Sequence, residues 1–279
     1  MNPTLDIVIP VKFPSIHLTT MRKNLGNLPR NVQVKYILDC NFDSNADTVI
    51  SNMNLRSREL VISGNYGSPG RARNFGLDKC ESKYVIFWDV DDEPNLMQTL
   101  NLLNSIDLES GDVGIGNWFF REFPGKLQGI SPLSVGTAPG IWRFLFRREF
   151  LQDLRFSNLK WGEDQLFILE VLSRNPKIIT SNTAIYGYTK HVQGALTTDT
   201  GNVIDLIEAN RKGLEYLSTI KGSARICAEV MHFRQILTVV KHRKPKAAWK
   251  LMVSSLTNIQ LRYAHSFEIF LHWKRLTRW

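Results

Sequence analysis

The sequence predicts an α/β fold, a mostly parallel central β-sheet flanked by helices, continued by an all-helical C-terminal region. Three observations predict it. Short apolar, β-rich runs alternate with helix-like segments through the first half of the chain. Carboxylates gather just past the ends of two of those runs, where open α/β sheets bind their ligands. From about Asn202 onward strand signals fade and the residues become basic.

The first strand is "LDIVIPV" (Leu5–Val11), followed by "VKYILD" (Val34–Asp39), "ELVIS" (Glu59–Ser63) and "YVIFWD" (Tyr84–Asp89). Each is short, apolar and bounded by polar loops. Candidate helices lie between them near Ile16–Leu25, Ala46–Met53 and Arg71–Lys79. Such alternation reads as parallel β-α units, with Asp39 and the Asp89–Asp92 group at strand ends. "GDVGIGNWFFREF" (Gly111–Phe123) reads as an aromatic-rich strand, and Gly, Pro and Ser mark Pro124–Gly140 as a mobile loop. Ile141–Leu151 passes from strand to short helix. Trp161–Arg174 is a helix, with Leu166, Leu169 and Leu172 among its apolar positions. Short strands follow at Lys177–Thr180 and Thr183–Tyr188. Helices near Asn202–Thr219, Ala224–His242, Lys246–Arg262 and His265–Leu276 complete the chain, with Gly222 and Pro245 as separators.

Composition narrows the function. The chain has 279 residues, 43% of them hydrophobic, which suits a folded domain with an appendage. No apolar run approaches the ~18 residues of a membrane span, and the N-terminus shows no secretory signal pattern. Cys40, Cys80 and Cys227 are scattered without CxxC or Cys/His spacing. They point to a reduced, cytoplasmic compartment and argue against zinc. The net charge of +9 is unevenly placed: Lys221–Trp279 holds twelve Lys/Arg against two acids, and the other 220 residues hold 23 against 24.

The chemistry concentrates in "KYVIFWDVDDEPNL" (Lys83–Leu96). Asp89, Asp91 and Asp92 follow a strand within four residues. Like charges this close repel, so the turn is either fully solvated or built around a cation. A divalent ion bridging carboxylates to phosphate oxygens suits a D-x-D triplet; an acidic turn is the plain alternative. "NYGSPGRARNFGLDKC" (Asn65–Cys80) adds a glycine-rich turn with Arg71 and Arg73 at a helix start, a pattern that suits a diphosphate. Glu163 and Asp164 stand beside Trp161 at another helix N-terminus, where an Asp can serve as general base or simply cap the helix. Lys190 and His191 fall in a polar loop after a strand.

Taken in order, these segments resemble family 2 glycosyltransferases of the GT-A fold, metal-dependent inverting enzymes that use nucleotide-activated sugars. The resemblance covers roughly residues 4–200. It rests on "DIVIPVKF", "YILDCNFDSNADT", "GSPGRARNFGLDKCESKYVIFWDVDDEP", "WGEDQLFI" and "YGYTKHVQGALT". It implies a transferase domain over 1–200, with a nucleotide-sugar half (1–95) and an acceptor half (96–200), and a basic helical region over 201–279. By resemblance Pro10, Val11 and Asp39 meet the nucleotide. Arg73 supports the acidic site or the diphosphate, Asp89 approaches the ribose, and Asp91 with Asp92 binds Mn2+ or Mg2+. Asp164, with Glu163 as neighbour, deprotonates the acceptor hydroxyl, and Lys190 or His191 meets the diphosphate. The implied donor is a nucleoside-diphosphate sugar, with UDP favoured. The implied acceptor is a glycan or lipid-linked molecule, as in surface polysaccharide biosynthesis. The chain departs from the family pattern at Cys40, which replaces a second aspartate, at Asn41-Phe42 and at Lys12-Phe13.

Two other readings stand beside this one. An Asp-dependent phosphohydrolase would use the D-x-D site but wants it on the first strand. A non-catalytic binder would use the basic tail, where "KHRKPKAAWK" and "LHWKRLTRW" mix cations with tryptophan. That mixture suits an anionic membrane surface on the inner face of the cell, while a solvated helical face is the plain alternative. No nucleic-acid recognition motif accompanies the charge. Donor sugar, linkage and oligomeric state do not follow from the sequence.

Overall fold

A computed structural model describes residues 4–12, 15–40, 54–190, 202–242 and 244–257. The chain divides into two compact units. One comprises Met1–Gln128, Ile141–Asn158 and Lys177–Val192; the other Gly129–Gly140, Leu159–Pro176 and Gln193–Trp279. Contact thus groups the chain differently from a cut at residue 200. The helix around Asp164 packs on the helix that begins at Val203, so both fall in the second unit.

The first unit holds one nine-stranded sheet. Its strands are β1 (Leu5–Lys12), β2 (Val32–Asp39), β3 (Glu59–Gly64), β4 (Tyr84–Phe87), β5 (Glu93–Pro94), β6 (Val113–Phe120), β7 (Phe123–Leu127), β8 (Phe144–Arg147) and β9 (Ile178–Tyr188). They run in the order β3-β2-β1-β4-β8-β6-β9-β5, with β7 paired to β6. The β3-β2-β1-β4 half is parallel. Its central strands are buried on both faces, so they read as near-continuous apolar runs. The other half corrects the mostly parallel expectation: β8 is antiparallel to β4 and to β6, β5 to β9 and β7 to β6, and only β6 and β9 run parallel. Strand order reverses beside β1: β2 and β3 lie on one side and β4 on the other. The C-terminal ends of β1 and β4 therefore form the switch point of the parallel half.

Helices α1 (His17–Leu25), α2 (Pro69–Asp78), α3 (Leu96–Leu108) and α5 (Arg148–Leu151) belong to this unit, with a 3-10 turn at Ile141–Arg143. Helix α2 starts two residues before the predicted Arg71 because Ser68 caps it, accepting from the Arg71 N–H at 3.3 Å, and Pro69 takes the first helical position. The two short strands predicted around Ser181 are one. The polar Ser181–Thr183 stretch passes as a register shift opposite Gly116–Trp118, where the Asn117 amide donates to the Asn182 carbonyl at 3.2 Å.

The second unit is helical: α4 (Pro132–Thr137), α6 (Glu163–Ser173), α7 (Val203–Leu217), α8 (Gly222–Lys241) and α9 (Pro245–Thr257). Helix α4, together with β7, replaces the loop expected over Pro124–Gly140. Ser131 caps α4 through the Ser134 N–H, Pro132 opens it, and Gly136 lets it approach α8 closely. Asn210 of α7 donates from Nδ2 to the His232 carbonyl and the Gln235 amide oxygen of α8, both at 2.9 Å, and lies 3.1 Å from His232 Nδ1. No helix among the described residues is long and apolar enough to cross a membrane. The helices predicted at Ala46–Met53 and His265–Leu276 lie outside the described residues.

Candidate active site

Strand β4 ends at Phe87, and the chain turns at Asp89–Asp92, where the Asp92 N–H reaches the Asp89 carbonyl at 3.4 Å. The turn sits at the switch point, beyond the C-terminal end of β4. Each of its carboxylates has a different environment. Asp89 is partly exposed and accepts from Arg73 Nη2 at 2.7 Å; the buried guanidinium of Arg73 lies 5.5 Å from the Phe156 ring centre. Asp92 is buried, and its two oxygens accept from the Tyr186 hydroxyl and the Thr189 N–H, both at 2.7 Å. Burial, then the charges of Asp89 and Asp91, push the Asp92 carboxyl well up.

Asp91 differs from both. It is half-buried, and burial, then the charge of Asp89, push its carboxyl above the ordinary range; its own backbone N–H and the nearby His17 pull the other way. Among the described residues no Lys or Arg forms an ion pair with it. Its backbone carbonyl accepts from the Thr189 hydroxyl at 3.0 Å, which fixes the turn from behind.

These donors permit one kind of metal site. Among the described residues no group of three His, Cys, Asp or Glu side chains converges on a common point. A closed structural cage is therefore not built here. One under-compensated carboxylate instead suits Mg2+ or Mn2+ bound through one or two carboxylates and the phosphates of a substrate. Asp91 fits that role. Asp92 fits it less well than the sequence suggested, because both its oxygens already accept hydrogen bonds.

The other predicted residues of this unit take their own places. Asp39, at the end of β2, accepts from the backbone N–H groups of Tyr66 at 2.9 Å and Gly67 at 2.8 Å. It braces the glycine-rich loop before α2, where Gly67 has φ 70°, so its carboxylate shapes that loop. Pro10 is half-buried at the end of β1. Val11 is buried in the sheet, paired with Leu38 of β2. Lys190 lies over the Phe120 ring, its Nζ 3.7 Å from the centre, while its N–H donates to Glu122 at 3.2 Å. His191 lies outside the described residues.

Glu163 and Asp164 open α6 in the helical unit. Gly162 precedes them at φ 87°, and a Cβ there would stand 2.9 Å from Ala209 Cβ of α7. Only glycine suits that turn and that close approach. Trp161 packs against the apolar cluster around Leu206, its ring edge-on to His242 with centres 5.1 Å apart, and the Lys160 N–H donates to Asp205 at 2.7 Å. Asp164 accepts from the Gln165 N–H at 2.7 Å, and the helix N-terminus favours negative charge there. Glu163 is buried.

Sequence reasoning missed Tyr186, Thr189 and His17. Tyr186 is fully buried and stacked on Trp142, ring centres 4.5 Å apart; its oxygen accepts from the Asp89 N–H at 3.1 Å while its hydroxyl donates to Asp92. The tyrosine stands in "YGYTK", a stretch whose resemblance and cations point to Lys190 and His191 rather than to Tyr186. His17 opens α1 and carries no such signal.

Comparison with known proteins bears on the fold and the family. Residues 41–159 match the family "Glycosyl transferase family 2". Glycosyltransferase GlyA of Streptococcus pneumoniae is 23% identical over 67% of the chain, and the chain spans 31% of GlyA. The poly(ribitol-phosphate) beta-N-acetylglucosaminyltransferase TarS of Staphylococcus aureus is 25% identical over 66% of the chain and 35% of TarS. The chain thus spans about a third of the length of these two curated relatives. In structure, TarS residues 1–349 in complex with UDP-GlcNAc align at a TM-score of 0.68, covering 98% of the chain and 92% of that fragment at 19% identity. The mannosyltransferase PcManGT of Pyrobaculum calidifontis, solved with GDP-Man and Mn2+, aligns at 0.60 over 100% of the chain and 81% of that protein, at 12% identity.

Proposed function

We propose that this chain, which has the GT-A fold, is a metal-dependent, inverting family 2 glycosyltransferase. Its donor is a nucleoside-diphosphate sugar, with UDP favoured because TarS was solved with UDP-GlcNAc and with UDP. Its acceptor is a glycan or lipid-linked hydroxyl of a surface polysaccharide. The observation that carries the reading is Asp91: a half-buried carboxylate, raised by burial and Asp89, at the switch point of the sheet.

Asp91 would hold Mn2+ or Mg2+ together with oxygens of the donor diphosphate. Bound there, the ion would neutralise charge on the departing diphosphate. Arg73 keeps Asp89 in place beside that diphosphate, and Tyr186 and Thr189 hold the turn through Asp92 and the Asp91 carbonyl. Lys190 lies in the loop beyond β9, a source of positive charge near the phosphates. Asp164, with Glu163 as its neighbour in the chain, takes the proton of the acceptor hydroxyl as that oxygen bonds to the anomeric carbon. The bond from that carbon to the diphosphate oxygen breaks in the same displacement, and the configuration inverts.

Two substitutions test this. Asp91→Asn should abolish stabilisation by UDP that depends on Mn2+, read as a thermal shift. Asp164→Asn should keep that shift and lower the transfer rate by about 100- to 10,000-fold, the range of general-base catalysis. Full transfer by Asp164→Asn with the true acceptor would remove Asp164 from the mechanism; a metal-independent shift equal in Asp91→Asn would remove the cation from Asp91.

A further inference from the structure

We propose that the outward face of α9 is a docking surface for an anionic lipid bilayer. The inward face of α9 is accounted for: Ala248 and Leu251 are buried with Val203, Leu206, Ile236 and Val239. The opposite face carries Lys246, Trp249, Lys250 and Val253, spaced 3, 4 and 7 residues from the first and so aligned on one side of the helix. Trp249 is 62% exposed and Val253 40%. Exposed Lys241 and Lys244 lie at the junction of α8 and α9, next to Val240, itself 49% exposed.

A single outward apolar residue is ordinary on a solvated helix, but here a tryptophan and a valine share one face with two lysines. The combination suits the bilayer interface: the indole seats at headgroup depth, and lysine stems lie along apolar surface while their ammonium groups reach lipid phosphates. Charge decides among the possible occupants. Residues 230–267 contain seven Lys/Arg and no Asp or Glu, and residues 258–279 carry four Lys/Arg against one acid. The chain's own C-terminal segment and a second copy would both bring like charge to this face. An anionic surface complements it. The inference rests on the helical unit alone and stands whether or not the transfer mechanism above is right.

The test is flotation of the full chain with phosphatidylcholine vesicles, with and without phosphatidylglycerol. The chain should float with the anionic vesicles only. Lys246→Ala/Lys250→Ala should lower partition about thirtyfold, from roughly fivefold per lost cation. Trp249→Ser/Val253→Ser should also lower partition but leave retention on heparin unchanged, and both variants should melt with the parent chain. Failure of the parent to float overturns the proposal, as does equal flotation of parent and variants. Loss of flotation by the lysine variant alone, with duplex DNA displacing the vesicles, would assign the face to polyanions instead.

Discussion

Replacing Tyr186 with Phe removes one oxygen atom and keeps the ring that stacks on Trp142. Two hydrogen bonds go with it, the 2.7 Å donation to Asp92 and the 3.1 Å acceptance from the Asp89 N–H. The first serves a buried carboxyl and contributes about 1.5–3 kcal/mol; the second contributes about 1 kcal/mol. Thr189 keeps its hold on the other Asp92 oxygen and on the Asp91 carbonyl, so the turn loosens without unfolding. The expected loss of local stability is therefore about 3 kcal/mol. Hydrogen exchange followed by mass spectrometry reads it directly: peptides covering the Asp89–Asp92 turn and the Tyr186–Thr189 stretch should exchange about a hundredfold faster, while the β1–β2 peptides keep their protection. Asp92→Asn in the same background should show a coupling of at least ~1 kcal/mol with Tyr186→Phe. Acceleration below about fivefold, or strict additivity of the two substitutions, would show that the hydroxyl does not organise the turn.

Burial holds the His232 imidazole, pKa about 3, below its unfolded value near 6.5. The unfolded chain therefore binds the extra proton first. The stabilisation from neutral His232 is complete above pH ~6.5 and falls as pH drops, by about 2 kcal/mol at pH 5. A His232 NMR resonance that titrates near pH 6.5 in the folded protein would contradict this. Gly136→Ala would place a Cβ 2.5 Å from the Cys227 backbone oxygen and 2.7 Å from Val230 Cβ. The helix-propensity gain of about 1 kcal/mol is smaller than the overpacking cost, so urea denaturation should show a net loss of about 1–2 kcal/mol.

The parallel half of the sheet was legible because its strands are apolar on both faces and short, and turn residues mark their ends. Strand β2 ends at the predicted Asp39, and β1 and β3 each run one residue past their predicted ends, to Lys12 and Gly64. The antiparallel half was not legible. Whether Phe144–Arg147 runs with or against Tyr84–Phe87 depends on a connection of more than fifty residues, and apolar content alone carries no direction. The Pro124–Gly140 stretch misled because Gly and Pro were counted as breakers. Pro132 in fact starts a helix, and Gly136 serves a close helix crossing. In the site, the acidic turn announced itself through charge. What holds it did not, since a buried tyrosine hydroxyl and a backbone N–H at Thr189 look like ordinary strand residues in a sequence.

The clamp on the acidic turn comes from residues 94 to 98 positions later in the chain. The free edge of β4 is likewise closed only by β8, some sixty residues on. During synthesis at roughly 5–20 residues per second, several seconds separate the emergence of β4 from that of its edge partner, and longer passes before Tyr186 arrives. In that interval the nascent chain presents an unpaired apolar strand followed by a loose cluster of acids. Those same charges repel a second strand approaching end to end, so the residues that later serve the site also discourage premature pairing between growing chains.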